Sequence, residues 1–320
     1  LLEKKMKIGL LFAGQGSQRI GMGKDFYDRY ESFRKIFDLL SEDEKKAAFE
    51  GTLEKLSDTR YTQPIMVAFA AGVTRLLKDE GIKPDVAAGL SLGEYSALAA
   101  AEVFEPEKAI ELVRFRAEEM YKASIGVDCA MSALIGADRH IAEECCALVS
   151  EETGEIVQPA NYNCPGQIVI SGEAGAVAAA SELALARGVK RAVALPVSGP
   201  FHTEFMRPAG DALKEAFKRA AFEEMTFPVI FNVLGRKKKD EETISDLLIR
   251  QVSSPVLFED SLKSMEAEAV DIMIEIGPGK ALSTFAKKTC RGIDICNVDT
   301  ADDFEEVIRK LKETMREERP

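Results

Sequence analysis

The chain has 320 residues, 46% of them hydrophobic and 30% charged, a composition that excludes a disordered polymer and suits a large domain with a smaller partner. Forty-two cationic side chains against 54 anionic ones leave a net charge of -12, which excludes general nucleic-acid binding and adsorption to an anionic lipid surface. No uncharged apolar run reaches the ~20 residues of a membrane span; the longest candidate, Val86 to Phe104, is broken by Glu94 and Glu102.

The first residues carry cations with no apolar segment behind them, so no secretory leader is expected and the protein is placed in the cytoplasm. The six cysteines show no C-x-x-C spacing and the chain has two histidines, so reduced thiols and no zinc are expected.

In chain order, a short apolar strand over Lys7–Phe12 ends in Ala13-Gly14-Gln15-Gly16-Ser17-Gln18, a tight strand-to-loop turn. Helical signals follow at Tyr27–Leu40 and Gln63–Lys78. A second strand, Val86–Gly89, runs through Ser91-Leu92-Gly93 into a helix over Glu94–Glu102, and another helix spans Pro106–Lys122. Between Met131 and Leu195 the pattern changes to strand (Met131–Ile135), helix (Asp138–Ser150), strand (Ile156–Asn161), strand (Gln167–Ser171), helix (Ala174–Arg187) and strand (Arg191–Leu195). A turn at Asn163-Cys164-Pro165-Gly166 joins the middle strands. This β-α-β-β-α-β order predicts a ferredoxin-like insertion. Strands at Phe227–Val233, Asp271–Ile276 and Ile293–Val298, a helix from Lys280 and a charged helix over Thr300–Glu318 resume the first pattern; Lys237-Lys238-Lys239 reads as a solvated loop. The alternation predicts a mostly parallel sheet covered on both faces. The expected division is therefore 1–127 and 198–320 for the large domain and 128–197 for the insertion.

Gly89-Leu90-Ser91-Leu92-Gly93 fits G-x-S-x-G, the nucleophile elbow. Its strand-to-helix bend is too sharp for side chains at the flanking positions, and it thrusts the serine out at a helix N-terminus. There the Leu92 N–H can face a developing oxyanion. A serine hydroxyl needs a base. His140 opens a charged helix and reads as a surface residue, whereas His202 follows the rigid turn Ser198-Gly199-Pro200-Phe201 and reads as the base. The Gly14 loop is no nucleotide site: Arg19 stands where G-x-G-x-x-G needs glycine, and Gly279-Lys280 lacks both the earlier glycine (Ile274) and the following Ser or Thr (Ala281) of a phosphate-binding loop. It is better read as a backbone-donor loop beside the nucleophile, with Gln15 supplying the second N–H.

These stretches resemble the malonyl-coenzyme A:acyl carrier protein transacylases and the related acyltransferase domains of polyketide synthases. The resemblance extends through Arg114-Phe115-Arg116-Ala117-Glu118-Glu119-Met120, Asn161-Tyr162-Asn163-Cys164-Pro165-Gly166-Gln167, Ser198-Gly199-Pro200-Phe201-His202, Gln251-Val252-Ser253-Ser254-Pro255-Val256 and Glu275-Ile276-Gly277-Pro278-Gly279. It implies an α/β fold: an α/β-hydrolase-like large domain with a parallel sheet, plus the inserted ferredoxin-like small domain. It implies transfer of malonyl from malonyl-CoA to acyl carrier protein for fatty acid synthesis, through a malonyl ester of Ser91 with His202 as base and no cofactor. It further implies an oxyanion hole from the N–H groups of Gln15 and Leu92, and orientation of His202 by the Gln251 carbonyl in place of a triad carboxylate. Arg116 is implied as the holder of malonate's free carboxylate. Phe201, with Ser198 and Met131, is implied in selecting malonyl over bulkier groups. The family pattern has histidine where this chain has Leu90, and glycine and glutamine at Ala117 and Tyr121. The implied partner is an acidic carrier protein, so Lys190, Arg191, Lys287 and Lys288 are expected to offset net repulsion, and the enzyme is expected to be a monomer. The rival readings are a serine esterase or thioesterase on the same elbow, and a non-catalytic carrier-binding relative.

Overall fold

The computed structural model describes residues 6–196 and 199–317. Its elements run β1 (Ile8–Phe12), α1 (Lys24–Arg29), α2 (Glu31–Phe37), α3 (Glu42–Glu50), α4 (Leu53–Ser57), α5 (Thr59–Asp79), β2 (Val86–Gly89), α6 (Leu92–Ala100) and α7 (Pro106–Ser124). Then come β3 (Cys129–Ile135), α8 (Arg139–Thr153), β4 (Val157–Cys164), β5 (Gln167–Glu173), α9 (Ala174–Ala186), β6 (Arg191–Ala194) and a 3-10 turn (Glu204–Met206). The remainder is α10 (Arg207–Phe217), β7 (Val229–Phe231), β8 (Arg236–Lys237), α11 (Ile244–Gln251), α12 (Phe258–Ala267), β9 (Ile272–Ile276), α13 (Ala281–Thr289), β10 (Asp294–Val298) and α14 (Ala301–Glu317). Two compact units emerge: one comprises the chain through Arg114, Glu223–Ile230 and Leu262 onward, and the other Phe115–Phe222 and Phe231–Ser261.

In the first unit β10, β9, β1, β2 and β7 pair in that order, all parallel. Every residue of β1, β2 and β9 is buried, because helices cover both faces, and the strands therefore read as continuous apolar runs. The register sets Phe12 opposite both Gly89 and Ile276. The three loops leaving β1, β2 and β9 thus start at one level of the sheet, where ligand-handling loops of parallel sheets gather.

The expected helix over Tyr27–Leu40 is two helices. Tyr30 is extended (φ -122°, ψ 116°) and ends α1 as it begins α2. The break lets Phe26, Phe33 and Phe69 stack and edge against one another while the Tyr30 ring meets Phe304, so tertiary packing overrides the local period. α5 starts a turn earlier than expected, at Thr59, because the Asp58 carboxylate caps the Arg60 N–H. α3, which the sequence reading passed over, carries a complete capping box between Ser41 and Glu44.

In the second unit β4, β5, β3 and β6 form an antiparallel sheet in that order, the ferredoxin-like arrangement. α8 and α9 bury Cys145, Val149 and Val177 against Leu134, Ile168 and Ile170 of the sheet. β4 continues through Cys164, so the turn is Pro165-Gly166 alone, with Gly166 at φ 76°. Pro159, which has no N–H, sits on β4, an outer strand of this sheet. The expected strand over Phe227–Val233 contracts to Val229–Phe231, because the Leu234 and Gly235 N–H groups turn back onto the Phe231 carbonyl. The lysine run is partly strand, since Lys237 lies in β8. All six cysteines are free thiols, and among the described residues no helix is long and apolar enough to cross a membrane.

Candidate active site

In the first unit the elbow is built by close backbone approach. Ser91 stands at φ 52°, ψ -102°, a region a β-carbon rarely tolerates, stored where the serine must project. A methyl added at Gly89 would overlap Gly93, and one added at Gly93 would overlap the Phe12 carbonyl oxygen. The Leu90 N–H donates to the Phe12 carbonyl at 3.0 Å and the Gly93 N–H to the Leu90 carbonyl at 2.9 Å. Ser91 precedes the first residue of α6, Leu92, and its side chain does not cap that helix.

Gly93→Ala is therefore expected to cost about 3–5 kcal/mol, since backbone rather than a flexible side chain must yield. Thermal unfolding should show a loss of about 10 °C. Gly81→Asn, at open space with φ 77°, should be near neutral. A loss at Gly93 no larger than at Gly81 would disprove the close approach.

The β1 loop lies beside the elbow: a β-carbon on Gly14 would overlap the Leu90 carbonyl oxygen. Gln15 is half-buried, and its Oε1 accepts the Thr59 hydroxyl at 2.9 Å, which in turn accepts from Gln63 Nε2 at 2.8 Å. The loop after β9 backs it, since Gly277 (φ 142°) packs on Ala13 and the Ala13 N–H donates to Ile276 O at 3.1 Å. That loop is held by a fully buried carboxylate: Glu275 accepts the Leu282 and Ser283 N–H groups at the start of α13. Burial pushes its carboxyl upward while these bonds oppose the shift.

The second unit gathers Arg116, His202 and Gln251. Arg116 on α7 is 1% exposed, and its Nη2 donates to Gln251 Oε1 at 3.0 Å. His202 is buried at φ 62°. Its Nδ1 lies 2.9 Å from the Gln251 carbonyl and 3.2 Å from that of Ser254. Two carbonyl acceptors demand an N–H at Nδ1, which in a neutral ring makes Nε2 the nitrogen that carries the lone pair. Burial, and then the Arg116 guanidinium beside it, push the imidazole down to about 4, against the pull of the two carbonyls. The ring is neutral at physiological pH, the state a base requires.

The Gln251 carbonyl is available for a reason legible in the chain. Its helical acceptor role belongs to the N–H four residues on, and that residue is Pro255; the Ser254 N–H reaches it only at 3.4 Å. Pro255 four residues after Gln251 is the signal in the chain for a carbonyl without its helical N–H donor, and the neighbouring acceptor at Ser254 has no such local signal.

The family described as "Acyl transferase domain" matches residues 10–316. The malonyl CoA-acyl carrier protein transacylase of Bacillus subtilis (strain 168) is 44% identical over 311 residues, covering 96% of this chain and 98% of that protein. The chain belongs to the malonyl CoA-acyl carrier protein transacylase family. The transacylase of Staphylococcus aureus (strain MRSA252) is 35% identical over 93% of this chain and 97% of its own. A crystal structure of the family from Clostridium perfringens Atcc 13124 superposes with a TM-score of 0.91 at 36% identity, covering 97% of this chain and 98% of that one. A malonyl-transacylase in complex with its type II PKS acyl-carrier protein gives a TM-score of 0.90 at 33% identity, covering 95% and 99%.

Against this family's pattern, the first unit brings Ser91, Leu92 and Gln15 together, and the second brings Arg116, His202 and Gln251 together. Phe201 and Met131 are buried in the second unit; Ser198 lies outside the described residues. Leu90, where the expected pattern has histidine, is half-buried. His140 is exposed on α8, 3.9 Å from Glu144. Lys190 and Arg191 are exposed in the second unit, and Lys287 and Lys288 are exposed in the last turn of α13.

Proposed function

We propose that this chain transfers malonyl from malonyl-CoA to the phosphopantetheine thiol of acyl carrier protein, supplying malonyl carrier for fatty acid synthesis. Ser91 is the nucleophile and His202 the base. Deprotonated at His202 Nε2, the Ser91 hydroxyl attacks the thioester carbonyl. The N–H groups of Leu92 and Gln15 hold the oxyanion, the coenzyme A thiol leaves with the proton from His202, and a malonyl-serine ester remains. The carrier thiol then enters, gives its proton to His202, and takes the malonyl group in a second half-reaction of the same form. The observation that carries the reading is His202: a buried, neutral imidazole pinned at Nδ1 by a main-chain carbonyl and paired in sequence with a serine elbow. The acid–base and nucleophilic groups of this scheme all come from the chain, so it runs without a cofactor.

Arg116 takes the free carboxylate of malonate. A guanidinium keeps its charge when buried and offers a fork of fixed donors, and a neutral acetyl group gains nothing from it. Phe201, with Met131 and Ser198, limits bulk at the α-carbon. Lys190, Arg191, Lys287 and Lys288 ease approach of the acidic carrier; reversing all four charges should raise the apparent KM for carrier protein, and an unchanged KM would refute their part. We assign the enzyme to the cytoplasm as a monomer, with 1–127 and 198–320 as catalytic domain and 128–197 as insertion, within which the antiparallel strands Cys129–Ala194 fall.

Intact mass after mixing with malonyl-CoA tests the reading. The chain should gain one malonyl group and hold it until a thiol acceptor arrives; no gain, or rapid release of free malonate, would favour the non-catalytic or the hydrolase reading. Arg116→Ala should cut kcat/KM for malonyl-CoA by about 10²–10³-fold and leave acetyl-CoA turnover level or higher. Equal losses on both would remove Arg116 from carboxylate binding.

A further inference from the structure

A non-glycine residue at φ 62° persists only where its surroundings over-determine it, so the contacts that hold His202 matter as much as the ring. Beside the ring's own bonds, the described residues of the turn are tied by three more. The Phe201 N–H donates to Gly199 O at 2.9 Å, and the Thr203 hydroxyl to Pro200 O at 2.6 Å. Just past the histidine, the Glu204 N–H donates to Gln158 Oε1 at 3.0 Å. The last reaches outside the turn, as the Nδ1 bonds of His202 do, and it ends on β4.

β4 also holds Val256, two residues past the second of the carbonyls that His202 addresses. It is an outer strand of its sheet, and its free edge takes the segment after α11 as a parallel bridge between Asn161 and Val256. The Val256 N–H donates to Ala160 O at 2.8 Å and the Tyr162 N–H to Val256 O at 2.9 Å. One strand thus carries, within a few residues, an anchor for the imidazole turn and an anchor for the Gln251–Ser254 carbonyls. The strand rises about 3.3 Å per residue, so this spacing fixes how far Nδ1 stands from its acceptors.

We propose that Gln158 is a positioning residue for His202: by accepting the Glu204 N–H it ties the histidine turn to the strand that holds the Gln251–Ser254 carbonyls, and so keeps Nδ1 as the protonated nitrogen. The effect on turnover rests on His202 being the base; the effect on the ring does not.

The test is Gln158→Leu, which removes the acceptor, against Gln158→Glu, whose carboxylate accepts from the same N–H. With two histidines in the chain, and His140 removed by His140→Gln, the imidazole nitrogen shifts of His202 report its tautomer directly. The parent should show the Nδ1–H form, Gln158→Leu a mixture of tautomers, and Gln158→Glu the Nδ1–H form restored. Malonyl transfer should follow: kcat lower by about 10-fold to 100-fold in Gln158→Leu with KM unchanged, and within about twofold of the parent in Gln158→Glu. An unchanged tautomer in Gln158→Leu, or the same mixture in Gln158→Glu, overturns the proposal whatever the activity. A shifted tautomer with unchanged kcat upholds the positioning and counts instead against His202 as the base.

Discussion

Ser91→Ala is expected to lower kcat for malonyl transfer by about 10⁴–10⁶-fold, with no malonyl adduct in the intact mass. The size of the loss comes from chemistry that nothing else in the first unit replaces. The oxyanion donors and the bound thioester survive the substitution, but no covalent intermediate can form, and direct attack by the carrier thiol must do without the activated hydroxyl. Alanine keeps the β-carbon at φ 52°, so the elbow's strain is neither added nor relieved, and thermal stability should move by less than about 1 kcal/mol. A variant that still accumulates malonyl mass would show that another side chain carries the acyl group.

His202→Ala should lose about 10⁴-fold or more in kcat, and the Ser91→Ala/His202→Ala pair should be no worse than the poorer single variant, because nucleophile and base act as one unit. Additive losses would separate the two residues. The pH dependence gives a second reading. With the folded imidazole down at about 4 against an ordinary 6.5, the acid limb of kcat/KM should fall near pH 4, not near 6.5. The sign for stability follows from the same pair of values. Below pH 6.5 the unfolded chain takes up a proton at this site that the folded chain refuses, so stability drops as pH falls from 6.5 toward 4. The full drop is about 3 kcal/mol, and His202→Ala should flatten the stability profile across that window by a comparable amount. A profile unchanged by the substitution would mean that His202 is not buried as a neutral ring.

The proposed residues of the two units are unequally legible in the sequence. The elbow that presents Ser91 is legible from five residues, because it is a local device: its glycines, its bend and its helix start all lie within one turn of chain. Gln15 is proposed on the same kind of signal, as a glycine-flanked residue leaving a strand. His202 is proposed as base by choice between two histidines and from the Gly199-Pro200 turn before it, which is composition and local chain rather than fold. Arg116 was not legible by itself; a charged residue on a charged helix reads as surface, and it is 1% exposed. Ser254, Gln158 and Thr59 carry no local signal because each bonds a partner more than forty positions away in sequence. Tyr30 broke a helix that the local period favoured, since an aromatic cluster drawn from α1, α2, α5 and α14 outweighs the preference of a few residues.

By itself the sequence determined the alternation of strands and helices, the ferredoxin-like order of the middle segment and the serine elbow, all of which depend on neighbours within about a dozen positions. Only the tertiary structure decided that His202 is neutral, that its Nδ1 carries the proton, and that one edge strand holds both the histidine turn and the carbonyls facing it. Desolvation and hydrogen-bond direction are properties of what surrounds an atom in space, and the surroundings of the His202 ring include residues 116, 251 and 254, which no local pattern connects.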